Sequence, residues 1–507
     1  MRTRKNTRWA AAMAVALVWP TVPAAAPWFK AETERFIVYG QGREARVRNL
    51  ALRLSVFDAV LRLANPSAPK TQPRKLEVYL VDSQRDVRRA APWTDESVGG
   101  FYTANAGATF ALANESVIGI AGDEVLFHEY AHAFMLENFP AAYPGWFIEG
   151  WAEYFMTTKV MANSAEVGRY NSGRAYSLFE SNWIPWDVVI SKAPWELRSD
   201  LQSVYYSQAW LLMHYMRSDA ERSAQLTKAT LAIAMGEDPV KAMEAASGKS
   251  LEELGRKLRN YRKLVAFTIN DPLPNPPEIK VSTLPPSAEH FLLDNLRLSS
   301  DASGGDEADA ALVVDLRRRA QRWPDDRAAE LTLARAEFAY GDVAAGEAIV
   351  KRRLERDPKD VEALLVAGMG QLKAGERDKA QLESRFNAAR PYLIKAYALD
   401  EDDYRILLAY ARSRTVDPAY PNDNDVNALL TVRAMAPTVD AASIMAGEAL
   451  LLRDRKPEAL AILSIVANNP HGGGNAQIAR ALMNGQAPSE LALAAEALDK
   501  QSAPPAK

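Results

Sequence analysis

The chain reads as two unlike halves, an α+β half over residues 27–268 and an all-α half over 306–495. Three observations predict this. In the first half, apolar residues switch between a two-residue and a 3.6-residue period. Pro272, Pro274, Pro276, Pro277, Pro285 and Pro286 then interrupt both patterns, so 269–305 reads as a linker without regular structure and the weakest point for added protease. Beyond it, helical periodicity recurs at a nearly constant interval. A chain of 507 residues exceeds a single core, so two or three domains are expected.

Residues 1–26 have the pattern of a secretory signal peptide: Arg2, Arg4, Lys5 and Arg8, an apolar run from Trp9 to Trp19, then Ala24, Ala25 and Ala26. Cleavage after Ala24 is compatible with that pattern, as are the neighbouring bonds. The apolar run is about half of what spans a bilayer, so a retained anchor is the weaker reading. The mature protein is expected outside the cytoplasm, periplasmic or extracellular, with no stable membrane span. Its loss of four cations moves the net charge from −3 to −7, which leaves no basic surplus for nucleic acid. The chain has no cysteine, which excludes disulfides, thiolate metal sites and a cysteine nucleophile.

In the first half, Phe36–Tyr39 and Leu76–Leu80 alternate as strands. Val47, Leu50, Leu54, Phe57 and Leu61 form the apolar stripe of a helix between them. Phe101–Tyr102, Ala108–Leu112 and Val117–Ile120 read as further strands of one sheet, partly at its edge. Asp123 is a candidate N-cap for a helix with Leu126, Phe127, Tyr130 and Phe134 on its apolar surface. Helices follow from about Trp146 to Thr158 and over Tyr205–Met216. Ser250 and Glu253 form a capping box for one over Leu251–Leu264.

Chemistry concentrates in His128-Glu129-Tyr130-Ala131-His132. Histidines at i and i+4 share one helix face and can bind one Zn²⁺, while Glu129 can reach a water polarised by that ion. The chain has only five histidines, which makes a chance pair of this kind rare. A catalytic zinc takes three protein ligands. The third should come from Trp146-Phe147-Ile148-Glu149-Gly150-Trp151-Ala152-Glu153-Tyr154, after a turn that reverses the chain. Carboxylates among so many aromatic side chains must be paired.

His-Glu-x-x-His followed by Trp-x-x-Glu-Gly-x-Ala-x-Tyr resembles the gluzincin metallopeptidases, the group around thermolysin and the zinc aminopeptidases. The resemblance is specific over 123–157 and implies an α+β zincin-like metallopeptidase domain. By position it implies His128, His132 and Glu149 as metal ligands, Glu129 as general base, and Glu153 as the carboxylate orienting His128. The exchange of Glu149 and Glu153 is the alternative. Tyr205-Tyr206 resembles the tyrosine-bearing helix start of the aminopeptidase branch, and Tyr206 is favoured as proton donor to the oxyanion. His214, eight residues further on, is read as structural. No Gly-x-Met-Glu-Asn segment is present, which leaves exopeptidase action unsupported. The strand around Ala108–Leu112 is the candidate for pairing with an extended peptide.

In the second half, Pro324 and Pro358 stand 34 residues apart, as do Gly341 and Gly375, and Pro437 and Pro470 stand 33 apart. Helix pairs at that period resemble the tetratricopeptide repeat (TPR), so an all-α TPR-like domain with a concave surface for a protein partner or peptide substrate is expected. His471-Gly472-Gly473-Gly474 reads as a turn between helices, and no metal-ligand cluster is expected within the repeats. Residues 496–507 read as a disordered tail. The expected function is an exported zinc metallopeptidase with a recruiting repeat domain. The competing readings are a protein-binding scaffold with a vestigial zinc domain, and a zinc hydrolase of non-peptide amides.

Overall fold

A computed structural model describes residues 26–69, 74–94, 98–118, 122–262 and 264–486. The expected signal segment, apart from Ala26, and the expected tail lie outside them. Among the described residues no helix is long and apolar enough to cross a membrane.

The first half is built on a mixed six-stranded sheet. Its strands are β1 (Trp28–Glu32), β2 (Phe36–Gln41), β3 (Leu76–Val81), β4 (Gly100–Ala104), β5 (Thr109–Asn114) and, much later in the chain, β9 (Lys280–Thr283), in the order β4-β5-β3-β2-β1-β9. The β2–β3 and β3–β5 pairs are parallel and the other three antiparallel. Parallel strands need both faces covered, and the residue alternation provides for that. Phe36, Val38, Val78, Leu80, Ala111 and Ala113 pack with α1 (Glu44–Ala64) in the main core. Tyr79, Val81, Phe110 and Leu112 face the other way, against α2 (Gln84–Ala90) and a helix from beyond residue 280.

Helices on the main-core side complete this half: α3 (Glu115–Ile118), α4 (Gly122–Asn138), α5 (Gly145–Met156), α6 (Ser172–Glu180), α7 (Trp186–Ser191), α8 (Ser199–Arg217), α9 (Ala220–Ala234), α10 (Pro239–Ser247) and α11 (Leu251–Asn260). The Ser250–Glu253 capping box starts α11 as expected. A small antiparallel sheet, β6 (Lys159–Val160), β7 (Ser164–Val167) and β8 (Phe267–Asn270), lies among them. Two local expectations are corrected. Val117 and Ile118 end a short helix instead of forming a strand, and Asp123 lies inside α4 instead of capping it.

The expected linker is also corrected. Within 269–305 the chain adds β9 to the sheet beside β1 and then forms α12 (Ala288–Ser299). Proline bars helix, but an edge strand paired on one side only tolerates proline flanks. Leu293 and Leu296 of α12 close the outer face of the sheet, while Phe291 enters the core of the next helices. One helix thus belongs to both cores.

The second half is a long run of helix pairs: α13 (Asp306–Ala320), α14 (Arg327–Tyr340), α15 (Val343–Arg356), α16 (Val361–Arg377), α17 (Leu382–Tyr397), α18 (Tyr404–Ser413), α19 (Asp423–Met435), α20 (Asp440–Leu452), α21 (Lys456–Ala467) and α22 (Gly473–Met483). Pro324, Pro358, Pro437 and Pro470 each stand three residues before an inner helix, which is the 34-residue rhythm of the sequence. Asp326, Asp360 and Asp403 cap inner helices by accepting from the amides of Ala329, Ala363 and Arg405. The architecture is TPR-like.

The inner face of these repeats is not free. The β4–β5 hairpin tip enters it: Tyr404 Oη donates to the Asn105 carbonyl at 2.8 Å, and Ala104 and Ala106 pack on the α18–α21 core. Arg74 pairs with Asp403 at 2.7 Å. A Cβ on Gly107, at the tip, would lie 2.0 Å from the Ser299 carbonyl oxygen. The fit therefore requires glycine at that position.

Gly107→Ala is expected to destabilise the protein by about 1–3 kcal/mol, the usual cost of overpacking. Chemical denaturation measures this, and an unchanged midpoint would mean that the hairpin is not seated in the repeats.

Candidate metal centre

The centre begins with the anchoring of α4. Phe127, Tyr130, Ala131 and Phe134 are buried in the main core, and the Phe127 ring stacks on Phe57 at 4.0 Å. Tyr130 Oη donates to Asp58 at 2.7 Å. These contacts fix the rotation of α4 and aim His128 and His132 at α5. Pro140 and Pro144 end the first helix and start the second, which reverses the chain. On α5, Trp146, Ile148, Trp151 and Phe155 are core residues. A Cβ on Gly150 would meet the Ala209 carbonyl oxygen at 2.6 Å, so glycine lets α5 close on α8 and sets the depth of Glu149.

His128 Nε2 and His132 Nε2 lie 3.0 Å apart. Glu149 Oε2 is 3.6 Å from the first and 3.3 Å from the second. A fourth group arrives from the repeats: His471 Nε2 lies 3.3 Å from His132 Nε2 and 3.2 Å from Glu149 Oε1. One donor atom from each of the four residues falls within 4.8 Å of the others. Three of the five histidines of the chain thus meet at one point. His471, expected only as part of a turn between helices, occupies such a turn and also joins this cluster.

These residues fit a divalent cation. Donors at about 2.0–2.1 Å in a tetrahedral zinc site stand about 3.3–3.4 Å from one another, and the separations here, 3.0–3.6 Å, bracket that value. Both Glu149 oxygens and His132 Nδ1 are buried without a hydrogen bond. The imidazoles surround the carboxylate at 3.2–3.6 Å but without hydrogen-bond alignment, as donors directed at a common centre would. The cluster can hold a metal ion.

The electrostatics differ from residue to residue. Burial alone would raise Glu149, yet His471 and His132 beside it hold it well below the usual carboxylate range. Burial, then His132, push His128 well below the usual imidazole range, which favours the neutral form that ligates. His471 is pushed up to about 9, because the Glu149 carboxylate outweighs burial. Burial raises Glu129, and the Tyr102 amide of β4 donates a hydrogen bond to it.

Glu153 Oε1 lies 3.6 Å from His128 Nδ1, on the ring edge away from Nε2. Arg174 holds that carboxylate with two hydrogen bonds, Nε to Oε2 at 2.7 Å and Nη2 to Oε1. The capping of α6 by Asn171, which accepts from the Arg174 amide, places the guanidinium. Its Cζ also lies 5.3 Å from the centre of the Tyr206 ring. Burial, then the Glu149 charge, raise the Tyr206 phenol, which puts it within the field of the site. Tyr205 is committed elsewhere and donates to the Lys192 carbonyl at 2.8 Å. His214 lies between Tyr261 Oη and the Gly168 carbonyl, each at 3.0 Å from a ring nitrogen.

One expectation about substrate contact is corrected. β5, which contains most of Ala108–Leu112, lies between β4 and β3, so the edge strand beside α4 is β4. Arg174, the Tyr102 amide and His471 were not identified from sequence. Each is distant in the chain from the motif it serves.

No family model matches the chain, and no curated protein matches it. Among solved structures, a TPR protein of Thermus thermophilus aligns with 35% of this chain and 100% of its own, at 17% identity and a TM-score of 0.30.

Glu153→Ala is expected to weaken Zn²⁺ binding by about 10–100-fold, as loss of an orienting partner does, and Glu149→Ala to weaken it further. Titration calorimetry ranks the two, and the reverse order would exchange their roles.

Proposed function

We propose that this chain is an exported zinc-dependent metallopeptidase. The observation that carries the reading is the convergence of His128, His132 and Glu149 from two packed helices, with Glu129 in the same field. The three residues would hold Zn²⁺, which supplies Lewis acidity when bound. Glu129, raised by burial and held by the Tyr102 amide, takes a proton from the attacking water and returns it to the leaving nitrogen. Its raised proton affinity suits both steps. The Tyr206 hydroxyl donates to the oxyanion. Arg174 and Glu153 hold the His128 ring. The outer edge of β4 offers backbone groups to an extended peptide, which favours a peptide over other amides.

A second reading has an observation in its favour. Structural zinc sites use four protein ligands and catalytic ones leave a position open, and four residues meet here. On that reading zinc pins a protein-binding repeat array to the first half, and Glu129 has no chemical task.

Glu129→Gln separates them. Under the catalytic reading it keeps one zinc per chain, measured by atomic emission, and lowers hydrolysis of an unfolded protein such as casein by at least about 100-fold. Equal hydrolysis by both proteins would remove Glu129 as the base. His132→Ala should lose most of the zinc under either reading.

A further inference from the structure

His471 is 339 residues from His132 in sequence, yet its Nε2 stands 3.3 Å away. The loop that carries it, between α21 and α22, is built for that placement. Asn469 Oδ1 accepts from the His471 amide at 3.0 Å. Asn469 Nδ2 reaches back to Asp440 at the start of α20, and Asn468 Nδ2 donates to the Ala142 carbonyl in the α4–α5 turn at 3.2 Å. Pro470 is buried, and Gly473, with φ at +46°, takes the left-handed turn into α22. The His471 side chain keeps 50% of its surface exposed, with Nε2 as the inserted edge. It is therefore a side chain that reaches in from outside, and the core does not depend on it.

We infer that His471 is a detachable fourth metal ligand, donated across the interface by the repeats, and that it keeps the centre closed while they are docked. The inference rests on the reading of the cluster as a zinc site. Its two separations, 3.2 and 3.3 Å, fall within the 3.0–3.6 Å found among His128, His132 and Glu149. Its nitrogen fills the position that a hydrolytic centre keeps for water and substrate. The same end of the array also touches a side chain of the edge strand: Tyr102 Oη of β4 and Thr438 Oγ1, just before α20, lie 3.0 Å apart. The ligand position is thus blocked while the repeats are docked, and it is freed when the α21–α22 loop lifts away. The four-ligand set and the catalytic glutamate are reconciled in this way: the docked form is latent, and the wild type's basal hydrolysis comes from the fraction of molecules in which the loop has lifted.

The test uses the full chain and three proteins, wild type, His471→Ala and His471→Gln, each loaded with Zn²⁺ or Co²⁺. Circular dichroism checks that the variants fold. Both variants are expected to keep one metal per chain but to release it at least about tenfold more readily to a competing chelator. Their Co²⁺ absorption bands should shift and respond to acetohydroxamate, whereas the wild-type bands should not. Casein hydrolysis should rise about tenfold or more. Wild-type chelator competition and Co²⁺ bands retained in both variants would overturn the inference and leave the zinc reading standing. So would hydrolysis that falls in variants whose bands have shifted. A wild-type chain that binds neither metal would remove the reading beneath it.

Discussion

A carboxylate with no exposed surface must be met by positive charge, and Glu149 is met only by imidazoles. Much of the structure around it serves that constraint. Buried carboxylates are usually held by arginine, as Glu153 is held by Arg174 one turn away. Glu149 has no such partner and no directed hydrogen bond. Removing a charge from water costs several kcal/mol, and the compensation comes from the imidazoles around it, His471 first, or from a cation held at the focus of the four side chains. The tight α5–α8 contact at Gly150, the aromatic anchoring of α4 and the reach of the α21–α22 loop all bring donors to that one carboxylate.

How much was legible in sequence follows from how local each signal is. His128, Glu129 and His132 lie within two turns of one helix, and Glu149 and Glu153 within two turns of the next, so spacing displayed the candidates, while the resemblance to gluzincins assigned the two carboxylates their roles. The helix pairs were legible through the proline rhythm, because a residue that cannot continue a helix marks each turn. Arg174, the Tyr102 amide and His471 depend on how whole elements pack, and no short-range pattern encodes that. Segment 269–305 was misread for a related reason. Its prolines forbid helix up to Pro286, but they do not forbid Lys280–Thr283 from pairing with β1, a partner some 250 residues earlier.

The seated hairpin changes the expected use of the repeats. A TPR-like array commonly offers its inner face to a partner, and here the chain's own β4–β5 tip takes that place through Tyr404 and the Ala104–Gly107 turn. The array acts on the first half at three levels. It shares a helix with the sheet through α12, it clasps the hairpin, and it sets His471 against the cluster. A partner that recruits this protein therefore meets the outer helices and the part of the inner face that the hairpin leaves open, beside Phe338, Met369 and Met445. A partner that competes for the inner face must displace the hairpin, and the hairpin carries the strand whose Tyr102 amide holds Glu129.

A ligand donated across an interface joins two equilibria into one. If docking of α20–α22 strengthens metal binding by some factor, bound metal strengthens docking by that same factor, as linkage requires. A tenfold coupling corresponds to about 1.4 kcal/mol, which is comparable with a single polar contact such as Asn468 to Ala142 or Tyr102 to Thr438; the packing of Ala104 and Ala106 on the α18–α21 core adds to these. A bound metal would then add to what holds the latch shut. A protein without metal would open more readily than one with it, and any partner that binds only the open form would compete with the metal for His471. Access to the centre would then depend on the seating of one loop from the repeats, while His128, His132 and Glu149 stay fixed by the packing of α4 and α5.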